Sequence, residues 1–200
     1  RYQRLGVRHV VALRGDPPTG IDAPYAAHPD GYQRTADLVA AAAGRDAFDV
    51  IVSAYPERHP QSPSVDHDLD VLADKVGAGA TRAITQMCFD IDAFERYLDR
   101  VRSRGIDIPI VPGVFPIHSF EAVARFAAKC GAAMPDELAA RFADHLDDPV
   151  ASHEVAADVA AEQIDRLTAL GVEHVHLYTL NRADLALAVC ERVGRAVGAP

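Results

Sequence analysis

Short apolar runs alternate with stretches of helical spacing along the whole chain. The runs are Val10 to Leu13, Phe48 to Ala54, Arg82 to Gln86, Ile108 to Pro112 and Val175 to Leu180. Val10-Val11-Ala12-Leu13 is apolar at successive positions rather than at alternate ones, as expected of a strand covered on both faces in a parallel sheet. It halts at Arg14-Gly15-Asp16-Pro17-Pro18, where Gly15 allows close approach of the backbone to a ligand and the prolines forbid the strand to continue. A polar loop from Asp16 to Gly31 follows.

Helical spacing is expected over Thr35 to Ala43, from a Ser64 cap to Val76, and over Asp90 to Arg104, Ser119 to Lys129 and Pro135 to His145. A long helix starts at Asp148 with Pro149 in its first position, and a last helix spans Ala183 to Val193. The expected buried stripes are Val65, Leu69, Leu72 and Val76 on the second helix and Ala156, Ala160, Leu167 and Leu170 on the long one. Asp68 and Lys75 fall together on one border of the first stripe, where they either reach round toward a ligand or stay solvated.

This alternation predicts repeated strand-helix units, a parallel sheet and an α/β class. No Gly-x-Gly-x-x-Gly follows any run, which removes the dinucleotide signature of a doubly wound sheet. Three of the five runs instead end in a polar, proline-bearing cluster, as in a ring of loops around one mouth. The expectation is a TIM (β/α)8 barrel with only the later five βα units in this chain. Leu5-Gly6-Val7-Arg8-His9-Val10 also resembles Leu170-Gly171-Val172-Glu173-His174-Val175. By that likeness Tyr2 to Leu5 ends a helix, and the chain is the later part of a longer one.

Two hundred residues, 49% of them apolar, fit one domain over 1–200 with a substantial core. A net charge of −9 without a basic run argues against nucleic acid and membrane surfaces, so an anionic ligand must be met by individually placed arginines or lysines. Cys88, Cys130 and Cys190 show neither a disulfide framework nor metal-ligand spacing. With no apolar stretch of about 20 residues and no signal peptide, a soluble, cytoplasmic protein is expected. A barrel missing three of its eight strands leaves two sheet edges, which favours pairing with another chain and allows a homo-oligomer.

Past the strand ends stand Arg14 and Asp16, Tyr55 and His59, Gln86, Phe115, and Asn181 with Arg182. This set lacks a nucleophile triad, a paired carboxylate site and a metal cluster; His174 and His176 share a strand face, and His67 and His118 read as helix-end or surface residues. What remains is planar, stacking and bidentate, suited to a flat heterocycle with the hard chemistry left to a cofactor. Leu13-Arg14-Gly15-Asp16 alone is equally a surface turn with a solvated ion pair.

Taken in order, Leu13-Arg14-Gly15-Asp16, Ala54-Tyr55-Pro56-Glu57-Arg58-His59-Pro60, Arg82-Ala83-Ile84-Thr85-Gln86, Val111-Pro112-Gly113 and Tyr178-Thr179-Leu180-Asn181-Arg182 resemble the methylenetetrahydrofolate reductase family. The resemblance implies FAD as cofactor, NADH or NADPH as hydride source, and methylenetetrahydrofolate as substrate. It places Arg14, Gly15 and Asp16 along the flavin, with Asp16 as the catalytic carboxylate between isoalloxazine and pterin. Thr35, Tyr55, His59, Asp68 and Lys75 would hold the rest of FAD. Gln86 and Arg182 would bind folate, with Phe126 against its aminobenzoyl ring. Some family features differ: the general-acid glutamate of an early strand has no counterpart, Ala122 stands where a bacterial relative has a substrate-binding glutamine, and Arg34 replaces a common aromatic. The chain ends without a long regulatory extension, like the short bacterial form. A non-catalytic folate or flavin module is the alternative in a different class.

Overall fold

Helix caps and glycine stops written into the sequence set most of the element boundaries. A computed structural model describes residues 1–17, 23, 25–45 and 47–194. Pro18 and residues 19–22 and 24 of the polar loop lie outside them. A single 3-10 turn, Tyr2–Leu5, ends at Gly6 with φ 80°, and the second copy of the repeat has Gly171 at φ 83°. Both glycines take the left-handed conformation that terminates a helix.

The elements then alternate as the pattern predicts: β1 (His9–Ala12), α1 (Thr35–Ala43), β2 (Asp49–Ala54), α2 (Val65–Gly77), β3 (Arg82–Met87), α3 (Ile91–Ser103), β4 (Ile110–Val114), α4 (Phe120–Cys130), α5 (Asp136–Ala143), α6 (Pro149–Ala169), β5 (His176–Leu177) and α7 (Ala183–Arg192). The Ser64 hydroxyl accepts the His67 N–H, Asp90 that of Ala93, and Asp148 those of Val150 and Ala151. These contacts satisfy donors that the first helical turn leaves open. The last strand is far shorter than the Val175–Leu180 expected, because the chain leaves the sheet at Tyr178 and turns.

All strand pairs are parallel, and the order is β1-β2-β3-β4-β5 without reversal. A doubly wound sheet reverses order at a switch point, whereas sequential order is that of a barrel wall. The architecture is therefore a five-stranded parallel part-barrel. Val50, Val52, Ala54, Ala83, Thr85, Met87 and Val114 are buried against the helices. The opposite face carries Val11 and Leu13, 53% and 54% exposed, with Ser53, Ile84 and Gln86.

Two of the expected stripes need correction. On α2, Leu69 and Leu72 are buried, Val65 and Val76 only partly so, and Lys75 is buried at 5% exposure rather than solvated on a border. On α6, Leu170 is 36% exposed because it follows the last turn, while Gln163 and Ile164 are buried. No described helix is long and apolar enough to cross a membrane.

Gly113 marks the tightest approach in the sheet. A Cβ there would lie 2.5 Å from the Tyr178 ring and 2.7 Å from the Thr85 carbonyl oxygen. At Gly77, on α2, a Cβ would meet nothing within 4 Å. Gly113→Ala is expected to destabilise the fold by about 1–3 kcal/mol through overpacking. Gly77→Ala is expected to stabilise it by about 0.5–1 kcal/mol by restricting the unfolded chain and favouring helix. Urea unfolding of the two variants checks the opposite signs.

Candidate active site

The C-terminal ends of the strands surround a cavity of about 440 Å³ lined by Val11, Leu13, Val52, Ser53, Tyr55, Ile84, Gln86, His176 and Tyr178. Strand alternation puts Ser53 and Tyr55, Ile84 and Gln86, and His176 and Tyr178 on this face. Gln86 is pinned by its Oε1, which accepts the Met87 N–H at 2.9 Å. The Tyr178 hydroxyl donates to the Thr85 carbonyl at 2.8 Å, and the His176 ring meets the Tyr178 ring edge-on at 4.6 Å. Burial pushes the Tyr178 phenol up to about 12 and holds the His176 imidazole below its ordinary value.

Tyr55 leads into a polar cluster. Its ring packs edge-on against His59 at 4.7 Å, and the His59 N–H donates to the Asp68 carboxylate at 3.0 Å. Burial lowers the pKa of His59, with the Arg14 guanidinium adding to the effect and Asp68 and Asp16 opposing it. The imidazole is therefore neutral at pH 7. Burial likewise raises Tyr55, which also lies in the fields of Arg14, Asp68 and Asp16. Gln61 ties Arg14 to this corner, because its backbone N–H donates to His59 Nδ1 at 3.1 Å while its side chain accepts from Arg14.

Arg14 is held from two sides. Its Nη1 donates to Gln61 Oε1 at 2.8 Å, and its Cζ lies 4.4 Å over the Tyr25 ring, a cation–π arrangement. Gly15 follows at φ 78°, where a side chain would be strained, and turns the chain toward Asp16.

Lys75 enters from beneath β2. Its Nζ donates to the Ser53 carbonyl at 2.6 Å and lies 3.4 Å from the Ser53 hydroxyl, so it meets the cavity through Ser53. Burial pulls its pKa down to about 8, with Asp68 opposing. Thr35, half-buried at the head of α1, is not among the cavity residues. Its neighbour Arg34 pairs with the exposed Asp74 of α2 at 3.8 Å.

At the other corner, Phe115 connects Tyr178 at 6.0 Å, Phe126 at 6.1 Å and His118 at 6.4 Å between ring centroids. Phe126 is 45% exposed, an apolar ring presented to solvent. Arg182 lies beyond Tyr178 and His118, lining a neighbouring cavity of about 640 Å³ rather than the first one. It follows Leu180 and Asn181, at φ 46° and 60°, and its N–H donates to the Thr179 carbonyl at 2.8 Å. Two consecutive left-handed residues closed by such a bond form a type I′-like turn, and Leu180 pays a steric cost of roughly 1–2 kcal/mol there. Strain of this kind is found where a neighbouring group must be held in place.

The structure thus brings Tyr55, His59, Asp68 and Arg14 into one linked cluster beside the cavity that Gln86 lines, whereas Phe126 and Arg182 stand beyond Tyr178 and outside that cavity, and Asp16 is joined to the cluster only through the chain. Tyr178, His176, Ser53 and His118 belong to the same surface and carried no assignment from the sequence. The period-2 spacing of His176 and Tyr178 was the available signal for two of them. His174 is exposed and outside the strand.

The family model for methylenetetrahydrofolate reductase matches residues 1–194. The chain belongs to the methylenetetrahydrofolate reductase family. It is 41% identical over 194 residues to the 5,10-methylenetetrahydrofolate reductases of Pectobacterium carotovorum and of Escherichia coli K12, matching 96% of this chain in each case. It spans 62% and 63% of the length of those relatives. A solved structure of an uncharacterized Clostridium thermocellum protein that binds two copies of 5-methyl-5,6,7,8-tetrahydrofolic acid overlaps 73% of this chain and 54% of its own, at a TM-score of 0.47 and 18% identity. That likeness is too loose to bear on the site.

Lys75 generates a pH signature of its own. Its folded-state pKa of about 8 lies below the ordinary 10.5, so between those values the unfolded chain retains a proton that the folded one has lost. Stability therefore rises with pH across that window. Relative to Lys75→Met, the wild type is expected to gain up to about 3 kcal/mol between about pH 7.5 and about pH 10, measured by urea unfolding of both proteins.

Proposed function

We propose that this protein reduces 5,10-methylenetetrahydrofolate to 5-methyltetrahydrofolate, using bound FAD and NADH or NADPH as the hydride source. The observation that carries this reading is a strand-end cavity lined by Tyr55 and Gln86, with His59 and Asp68 packed behind Tyr55 and Arg14 linked to His59 through Gln61, in a chain of this family. Residues 1–200 then form one flavin-binding barrel domain made of the later five βα units. The active form is cytoplasmic, binds neither nucleic acid nor membrane, and can form a homo-oligomer.

The donor set fits the cofactor. A dinucleotide flavin needs planar contacts for its ring system and cations for its phosphates. Tyr55 and the neutral His59 supply the first; Arg14, on the rim, and Lys75, beneath Ser53, supply positive potential. Asp68 orients the His59 backbone, and Thr35 contributes from α1. When bound, FAD accepts hydride from the nicotinamide and passes it to the folate.

Asp16 acts electrostatically. Its carboxylate disfavours negative charge held on the hydride donor at one side of it, which strengthens that donor, and favours positive charge on the substrate at the other. At about 4 Å and an effective dielectric near 20 the interaction between unit charges is about 4 kcal/mol. One fixed charge therefore assists both partners of the transfer without reorganisation. Gln86 hydrogen-bonds the pterin edge, Phe126 stacks on the aminobenzoyl ring, and the Arg182 fork takes the carboxylate of the glutamyl end.

The test uses the full-length protein. It is expected to purify yellow, to bleach on anaerobic addition of NADH, and to recover its colour on addition of methylenetetrahydrofolate. A colourless protein that takes up no added flavin would overturn the reading. Asp16→Asn is expected to slow the folate half-reaction at least about tenfold more than reoxidation by an artificial acceptor. Equal slowing of both half-reactions in stopped-flow traces would remove the role given to Asp16.

A further inference from the structure

We propose that Glu57 is a positioning residue that ties the loop carrying Tyr55 and His59 to the helix carrying Phe126. The proposal rests on the flavin and folate roles given above to those three side chains. Glu57 itself lines no part of the 440 Å³ cavity. It lies behind it, in a separate cavity of about 590 Å³ shared with Arg58, Asp90, Arg96, Tyr97 and Arg100.

Two contacts make the tie. Both Glu57 carboxylate oxygens accept the Ala133 N–H, at 2.9 and 3.0 Å, across 76 residues of sequence. Ala133 lies just past the end of α4, the helix that presents Phe126 one turn before its terminus. Beside it, Gly131 presses against the same loop so closely that a Cβ would sit 2.5 Å from the Arg58 carbonyl oxygen. Gly131 has φ 75°, so a side chain is disfavoured there by conformation as well as by space.

The anchored loop is short and its other end is fixed too. His59 donates through its backbone to Asp68, and its ring leans on Tyr55. Glu57 and His59 thus sit on opposite sides of one tight segment. Moving the Glu57 end shifts the Tyr55 and His59 surface, and the same movement releases the C-terminal end of α4. A charge-assisted hydrogen bond from a half-buried carboxylate is among the stronger single contacts available for this purpose. One side chain therefore couples the cofactor end of the mouth to the substrate end.

The experiment compares wild type, Glu57→Ala, Glu57→Gln and Gly131→Ala in the full-length protein. Glu57→Ala is expected to weaken FAD retention and to raise the KM for methylenetetrahydrofolate, each about tenfold, as loss of one charge-assisted hydrogen bond allows. Its kcat is expected to stay within about twofold, because no group touching the reacting atoms has changed. Glu57→Gln keeps an acceptor for the Ala133 N–H and is expected to restore both values to within about threefold of wild type. Gly131→Ala, which strains the tie from the other side, is expected to weaken FAD retention and raise the KM together.

Hydrogen exchange at the Ala133 amide reads the tie without any ligand: protection is expected in the wild type and loss of it in Glu57→Ala. An unprotected wild-type amide overturns the proposal. So does a Glu57→Ala protein in which FAD retention and KM are unchanged, or in which only one of the two moves. If Glu57→Ala does not fold, Gly131→Ala decides by the same criteria. A wild type that takes up no flavin overturns the function, and this role for Glu57 with it, even where Ala133 stays protected.

Discussion

The close packing of Gly113, Tyr178 and Thr85 is the constraint on which the part-barrel depends. β5 contributes only His176 and Leu177 to the sheet, too little pairing to fix the last unit alone. The Tyr178 ring lies on the bare backbone of Gly113, and its hydroxyl reaches over β4 to the Thr85 carbonyl on β3. The Thr85 hydroxyl meanwhile accepts the Gly113 N–H and donates to the Gln86 carbonyl. Three strands are pinned at one point, next to the site, by groups whose polar atoms are all used. A buried polar network of this kind specifies one arrangement because each member is satisfied only there.

A chain of net charge −9 builds its ligand surface from few cations, and it places each with care. Arg14 is fixed by an amide and an aromatic face rather than by a carboxylate, so its charge is not cancelled locally. Lys75 is set in the wall against a carbonyl and a hydroxyl, which satisfies its N–H groups while leaving its charge to act. Arg182 is set beyond a strained turn. Arg14 and Lys75 differ in depth but share the property that their side-chain contacts are with dipoles or rings, which suits attraction of an anionic ligand.

Much of the secondary structure was legible in the sequence for local reasons. The first α-helix has the same limits in pattern and structure because alanine spacing and Gly44 mark them. Ser64, Asp90 and Asp148 announce their helices by chemistry that acts within four residues. The parallel class was legible too, since unbroken apolar runs follow from burial on both faces. The burial of Lys75 was not, because it depends on Ser53 lying 22 residues away. Nor was the shortness of β5, which the Tyr178 contact to Thr85 decides across 93 residues. The site was legible as a set of strand-end residues, while its arrangement into two corners joined by Gln86 and Tyr178 emerges only from the fold.

Sequential strand order has a kinetic side. β2, β3 and β4 each have a neighbour on both sides, whereas β1 and β5 have one each in the described sheet. Segments with the fewest partners open at the lowest free energy, ahead of global unfolding. Arg14 and Asp16 ride on the first of these strands and Arg182 follows the last. The two ends of the ligand mouth therefore belong to the margins of the described sheet. Opening at either margin would dismantle recognition while the central three strands remain folded.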